Sequence, residues 1–275
     1  MKTILVPTDY SETADNAMHY ALELAKTVKA KIILFHAYPF PIPTGDIPVL
    51  MVSPDELEKS NLIKIKDLEK KIEGEFPGEI TVEHIVRAGN VTDEILTAAE
   101  EKEVDLIVMG VTGGGLIAET LMGSNTTALI KKTEIPVLVI PPKAKYKKIE
   151  KLVLAYDYKG KIKENVMSKI KTFAHLFNAQ ILVIDMVAPV EVTSPESTEA
   201  HLSIEKGFSD IKHSLYFPEG DDLEYQINSF VDSFKADWLI MIPHKNSFFA
   251  GLFHRRNTKK MAFHTHIPLL SLLDK

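Results

Sequence analysis

A long internal repeat limits this chain more than any other feature. "TILVPTDY" at residues 3–10 returns as "KLVLAYDY" at 151–158, an offset of 148 (151 − 3), and "DLIVMG" at 105–110 returns as "DWLIMI" at 237–242, an offset of 132 (237 − 105). "IPVLVI" at 135–140 matches "IPLLSL" at 267–272, again at 132. Two copies of one folding unit are therefore expected, not a single large core. The offset falls by 16 (148 − 132), so the second copy is shorter in its middle, around its second strand and the helix that follows. "PPKAKYKK" at 141–148 separates the strand patterns as a linker, which places one domain at 1–143 and the other at 144–275.

Within the first copy, short apolar runs alternate with helical patterns. "TILVPTD" reads as a strand and "SETADNAMHYALELAKTV" as a helix, capped by Ser11 or Thr13, with Ala17, Tyr20, Ala21, Leu24 and Val28 on its apolar stripe. "KIILFHAY", "EITVEHIV", "VDLIVMG" and "PVLVIP" supply four more strands, with helices at "SPDELEKSNLIKIKDLEKKIEGEF", "VTDEILTAAEEKE" and "NTTALIKKT". Uninterrupted apolar strands alternating with helices mean a parallel sheet covered on both faces. The expected fold class is α/β: two tandem doubly wound, Rossmann-like domains, each with a five-stranded parallel sheet of order 3-2-1-4-5.

Composition narrows the function. The chain has 275 residues, no cysteine and a formal net charge of −6. Disulfides, thiolate catalysis and cysteine-based zinc sites are excluded, and the acidic balance argues against general binding of nucleic acid or membrane surfaces. The first residues, "MKTILVPTDYSE", turn polar too soon for a signal peptide, and no run approaches a membrane span. A cytoplasmic location is the expectation.

The chemistry concentrates after the fourth strand, in "GVTGGGLIAETLMGS" at 110–124. A parallel strand ending at glycine, with a helix a few residues later, brings backbone N–H groups and a positive helix end to the carboxyl edge of the sheet. The spacing is Gly110, two residues, Gly113, nine residues, Gly123, then Ser124 and Asn125, which can cap the helix or bond a phosphate. No lysine followed by serine or threonine comes after the last glycine, so this is no Walker loop, and a dinucleotide fingerprint would follow the first strand instead. The loop is either a sharp turn or a phosphate cradle. Asp9, at the end of the first strand, favours the cradle: strands 1 and 4 are neighbours at the switch point of such a sheet, where ligands bind. Its acid could accept hydrogen bonds from ribose or adenine, or simply suit a helix entry.

These residues resemble a known family. "PTDYSE" at 7–12, the G-x2-G-x9-G-S pattern at 110–124 and "IPVLVIP" at 135–141 are similar to the universal stress protein family, and the whole chain resembles its tandem form. The resemblance implies a Rossmann-like α/β fold that dimerises through its last strand, with ATP bound by members that keep the glycine motif and hydrolysed slowly or not at all. Carried over by position, Pro7, Thr8 and Asp9 would border the adenosine and Ala37 would lie against the adenine. Gly110, Gly113, Gly123, Ser124 and Asn125 would take ribose and phosphates, with or without Mg2+. One departure matters: Val111 and Thr112 stand between the first two motif glycines, where members often carry a basic or histidine residue.

The second copy lacks the motif. At the offset of 132, Gly110, Gly113, Gly123 and Ser124 become Ile242, Lys245, Arg255 and Arg256, although Asp157 still matches Asp9. Bulky side chains there exclude phosphates, so this domain is expected to have lost nucleotide binding. The same stretch holds Lys259, Lys260, His244, His254, His264 and His266 without an acid. It reads as a solvated basic face, with an anion or nucleic-acid patch as the alternative. A metal site is not assigned, because His264 and His266 lack an orienting carboxylate.

The sequence thus points to a cytoplasmic stress-response or signalling protein that binds ATP once, in its first domain, with the two domains paired as an intramolecular pseudo-dimer and a homodimer open to it. No catalytic residue is assigned, since phosphoryl transfer needs positioned cations. Two alternatives stand beside it: a weak ATPase or adenylyl-transfer enzyme, and a partner-interaction protein that binds no nucleotide.

Overall fold

The computed structural model describes residues 1–39, 53–111, 123–156, 161–186, 195–218, 222–243 and 265–274. In chain order the elements are β1 (Thr3–Pro7), α1 (Glu12–Val28), β2 (Lys31–Tyr38), α2 (Pro54–Glu75), β3 (Val82–Ala88), α3 (Val91–Glu101), β4 (Leu106–Gly110), α4 (Ser124–Lys132) and β5 (Val137–Ile140). The second copy follows with β6 (Lys151–Tyr156), α5 (Glu164–Phe177), β7 (Gln180–Asp185), α6 (Pro195–Gly207), β8 (His213–Tyr216), α7 (Leu223–Phe234), β9 (Trp238–Met241) and β10 (Leu269–Ser271).

The described strands form one ten-stranded sheet in the order β3-β2-β1-β4-β5-β10-β9-β6-β7-β8. Each half therefore has the expected 3-2-1-4-5 order, and its strands are parallel. The halves meet where β5 and β10 run antiparallel, with Val139 opposite Leu269 and Val137 opposite Ser271.

The registers fix which residues correspond. Thr3 faces Lys31 and Lys151 faces Gln180, so the offset is 149 (180 − 31) at the second strand. Ile32 faces Val82 and Ile181 faces His213, so it is 131 (213 − 82) at the third. The deletion therefore lies between those strands, where the 22-residue α2 is replaced by the 13-residue α6.

Strand residues alternate between two apolar layers because successive side chains point to opposite faces. Ile4, Val6, Leu106 and Val108 pack with Ala17, Ala21 and Leu24 of α1 and Ile65 and Ile72 of α2. Leu5, Ile107 and Met109 pack with Ile95 of α3 and Leu129 of α4. Both layers continue through the second half, where Trp238 is fully buried. Its indole Nε1–H donates to the Tyr20 hydroxyl at 2.7 Å, a buried hydrogen bond between the two copies.

The stretch read as a linker is fastened to α1. Asn16 Nδ2 donates to the carbonyls of Pro141 at 3.1 Å and Ala144 at 3.2 Å, and Lys145 Nζ donates to Asn16 Oδ1 at 2.9 Å. Ala144 and Ile149 are buried, and the Tyr146 ring meets Tyr20 edge-on at 5.3 Å.

A matched pair of acids ties the fourth strand to the first in each half. Asp105 Oδ2 accepts the amides of Lys2 and Thr3, and Asp237 Oδ2 accepts those of Glu150 and Lys151. No helix of the described residues is long and apolar enough to cross a membrane.

Candidate functional site

The two halves differ where their first and fourth strands separate. The ladder between β1 and β4 holds two pairs, Ile4↔Leu106 and Leu5↔Ile107, and ends well before Pro7 and Gly110. In the second half the equivalent ladder holds four pairs, Leu152↔Trp238 through Ala155↔Met241, and reaches the last residue of β9. Doubly wound sheets bind ligands in the crevice outside the carboxyl ends of the strands, at the point where the strand order reverses, and in the first half β1 and β4 are the strands at that point.

Gly110 stands on one wall of that crevice, and the structure gives its missing side chain a local reason. A Cβ built there would lie 2.8 Å from the carbonyl oxygen of Thr13 and 3.0 Å from its carbon. The first turn of α1 therefore occupies the space that any other residue would need. The carbonyl of Gly110 also accepts the Thr126 hydroxyl at 3.2 Å, and Gly123 N–H donates to the Val111 carbonyl, so both ends of the glycine loop are tied together.

At the start of α4 the cap is Gly123, with no side-chain cap hydrogen bond. Ser124 and Asn125 are the first helical residues and are exposed, so neither is the cap that the sequence allowed. The first amides of a helix have no intrahelical acceptor, and the helix end carries a partial positive charge. An anion can meet both needs.

The opposite wall is the exit of β1. Pro7 pairs with Phe35 of β2. Thr8 is buried and used at three atoms: its amide donates to the Phe35 carbonyl at 2.8 Å, its carbonyl accepts His36 Nδ1–H at 2.8 Å, and its hydroxyl oxygen accepts the Tyr10 amide at 3.0 Å. Asp9 is exposed, and its Oδ1 accepts the Ser11 amide at 3.0 Å, the helix-entry role. Ser11 then caps α1 by accepting the Ala14 amide at 3.3 Å. Ala37 is half-buried on β2, opposite Arg87.

Two residues that sequence reasoning missed complete this wall. Tyr10 adopts a left-handed backbone, φ 63°, which costs a non-glycine residue about 1–2 kcal/mol. Its ring lies 4.8 Å from that of His36, and partial burial raises its phenol pKa. The available signal was weak: an aromatic after Asp9 and a histidine near the end of an apolar strand.

Pro7, Thr8, Asp9, Ala37, Gly110, Gly123, Ser124 and Asn125 therefore share the carboxyl edge of the first half. Gly113 lies outside the described residues. So do Asp157, His244, Lys245, His254, Arg255, Arg256, Lys259, Lys260 and His264. His266 is described, and it has the carboxylate partner that the sequence does not place beside it: its Nε2 lies 2.9 Å from Asp232 Oδ1, brought close from α7.

The second half is built differently at the same edge. Ile242, the counterpart of Gly110, is buried. Asp185, the counterpart of His36 at the 149 offset, is buried at 1% exposure and hydrogen-bonded to His201 of α6. His201 in turn meets Phe217 edge-on at 5.1 Å.

The universal stress protein family model matches residues 1–141. The chain belongs to the universal stress protein family. A universal stress protein of Methanocaldococcus jannaschii is 35% identical over 156 residues, covering 52% of this chain and 96% of that protein. One from Methanothermobacter thermautotrophicus is 34% identical over 127 residues, covering 45% of this chain and 84% of the relative. Each relative accounts for about half of this chain, as the tandem form requires. A universal stress protein crystal structure from Archaeoglobus fulgidus superposes with a TM-score of 0.72 at 16% identity, covering 99% of this chain and 98% of that one, which establishes the fold across both halves.

Proposed function

We propose that this universal stress protein family member binds one ATP per chain, in the crevice of the first half, and acts as a cytoplasmic stress-response protein with little or no hydrolysis. The observation that carries the proposal is the difference between the ladders: two pairs between β1 and β4, four between β6 and β9. Among the described residues, the first half combines the shorter ladder with a helix capped by a glycine that has no side chain. In this reading Pro7, Thr8, Asp9 and Ala37 border the adenosine, while Gly110, Ser124 and Asn125 face ribose and phosphates and Gly113 and Gly123 complete the loop. Mg2+ would accompany the phosphates, its charge offsetting theirs where Val111 and Thr112 supply none.

The domain division at 1–143 and 144–275 belongs to the same proposal, with the β5–β10 junction as the seam of an intramolecular pseudo-dimer. The second domain then serves as a nucleotide-free partner that senses the first.

The test uses the purified full chain, heat-denatured and examined by chromatography for released adenine nucleotide, beside the same protein with Gly123→Arg, which installs the second-copy residue. Nucleotide released by the wild type and absent from the variant supports the proposal. No nucleotide, together with no uptake at millimolar ATP, refutes it.

A further inference from the structure

A second groove lies at the opposite edge of the first half, at the amino ends of β1 and β2. It has a volume of about 840 Å3 and is lined by Lys2, Thr3, Lys26, Lys29, Ala30, Lys31, Glu79 and Thr81. The second half has a groove of about 380 Å3 lined in part by Glu150, Lys151, His175, Asn178, Gln180, Asp210 and Lys212. Under the strand registers these are the same place. Lys2 corresponds to Glu150, Lys26 to His175, Lys29 to Asn178, Lys31 to Gln180, Glu79 to Asp210 and Thr81 to Lys212.

The duplication acts as an internal control. Both halves keep a side-chain clasp from the first helix to an acid in the segment before the third strand. In the first half Lys26 pairs with Glu79, and in the second Asp210 is held by Lys171 at 2.6 Å and by the His175 ring at 3.1 Å. The clasp is structural, because both copies retain it. Both halves also keep the strand-tying acid, Asp105 or Asp237, at the same edge. Lys31 is engaged by Glu83 at 3.1 Å.

What differs is the remaining charge. With Lys26 and Lys31 engaged, the first groove keeps Lys2 and Lys29 as its remaining lining cations, where the second groove holds Glu150 and Asn178. Lysines beside the end of α1 would suit its negative dipole, yet α5 ends in Asn178 and keeps the same left-handed cap without a lysine there. Helix termination therefore does not require Lys29, and strand pairing does not require a lysine at position 2, where the second copy holds Glu150. The surplus charge sits in a groove wide enough for a small molecule, on a chain whose net charge is −6. Such a local reversal of sign concentrates multivalent anions.

We propose that this groove is a second, separate anion site, which takes a small molecule bearing two or more phosphates, with Lys2 and Lys29 as the discriminating cations. It lies at the edge of the sheet opposite the crevice and does not depend on nucleotide binding there.

The test is a pyrophosphate titration of isotopically labelled full chain, followed by amide shifts in two-dimensional NMR. Saturable shifts are expected at Thr3, Ala30, Lys31 and Thr81. They should weaken about tenfold in a Lys2→Glu, Lys29→Asn double variant that carries the second-copy residues. Both side chains are exposed, so the variant should melt with the wild type. A Lys66→Glu, Lys70→Asn variant on α2 removes the same charge elsewhere and should leave the shifts intact. Shifts confined to Gly123 and Ser124 would locate pyrophosphate in the crevice alone and overturn the proposal. Non-saturating shifts, equal weakening in both variants, or no response at all would also overturn it.

Discussion

Replacing Gly110 with alanine separates two reasons for a motif glycine. The added Cβ would sit 2.8 Å from the Thr13 carbonyl oxygen and 3.0 Å from its carbon, and both are backbone atoms. Ordinary contact begins near 3.4 Å, so the first turn of α1 must retreat by about half an ångström. That turn is fixed by Ser11 capping Ala14 and by Asp9 bonding Ser11, so the movement spreads into the β1 exit. Overpacking of this kind costs about 1–3 kcal/mol. At about 2–4 °C per kcal/mol for a chain near this size, the melting temperature should fall by about 2–12 °C. Thermal unfolding by circular dichroism, without added nucleotide, is the assay. An unchanged melting temperature would refute the reasoning and return Gly110 to a ligand-facing role alone.

Three further outcomes follow from other contacts. Gly123→Ser supplies the cap that α4 lacks, so stability should hold or rise by a few tenths of a kcal/mol, while ATP affinity by calorimetry should fall as the hydroxyl competes for the same amides; unchanged affinity would count against α4 as the phosphate end. Tyr20→Phe leaves the buried Trp238 N–H without its acceptor and should cost about 1–3 kcal/mol in urea unfolding followed by tryptophan fluorescence. Burial raises the Tyr20 pKa above the ordinary 10, so the folded chain keeps a proton that the unfolded chain releases. Tyr20 therefore contributes full stability below about pH 10 and loses it as pH rises further, and the Phe variant should show a shallower alkaline decline; identical slopes would contradict this. Asp237→Ala strips the acceptor from two amides and the partner from Lys147 at 2.8 Å, costing about 2–3 kcal/mol by urea unfolding, more than Asp105→Ala at its exposed counterpart; equal, negligible losses would remove these acids from the fold's supports.

The fold was legible because parallel strands buried on both faces print themselves as apolar runs. "TILVP", "IVM" and "VLVI" could be placed from pattern alone, and the repeat gave the second half from the first. β3 was expected at 79–86 and runs Val82–Ala88, because Gly89 rather than the apolar run sets its end. The site was half legible. Spacing identified Gly110, Gly123 and Asp9, but sequence cannot say whether a glycine yields space to a ligand or to its own chain, and at Gly110 the neighbour is Thr13. The β1–β4 parting left no local mark either, since β1 and β6 are similar in hydropathy and differ in how far their ladders run. The signal for the strand-tying acids was present: "DLIVMG" and "DWLIMI" open on the same aspartate. Residue type alone could not distinguish a lysine in a groove from an ordinary surface charge; that needed the two copies set in register.

The proposal of one nucleotide per chain, held by the first half, is tested most directly by calorimetric titration of the full chain with ATP and Mg2+, beside Gly123→Arg and an Ile242→Gly variant of the second half. A stoichiometry of one is predicted, abolished by the first substitution and untouched by the second. Two sites per chain, or binding that survives Gly123→Arg, would contradict it.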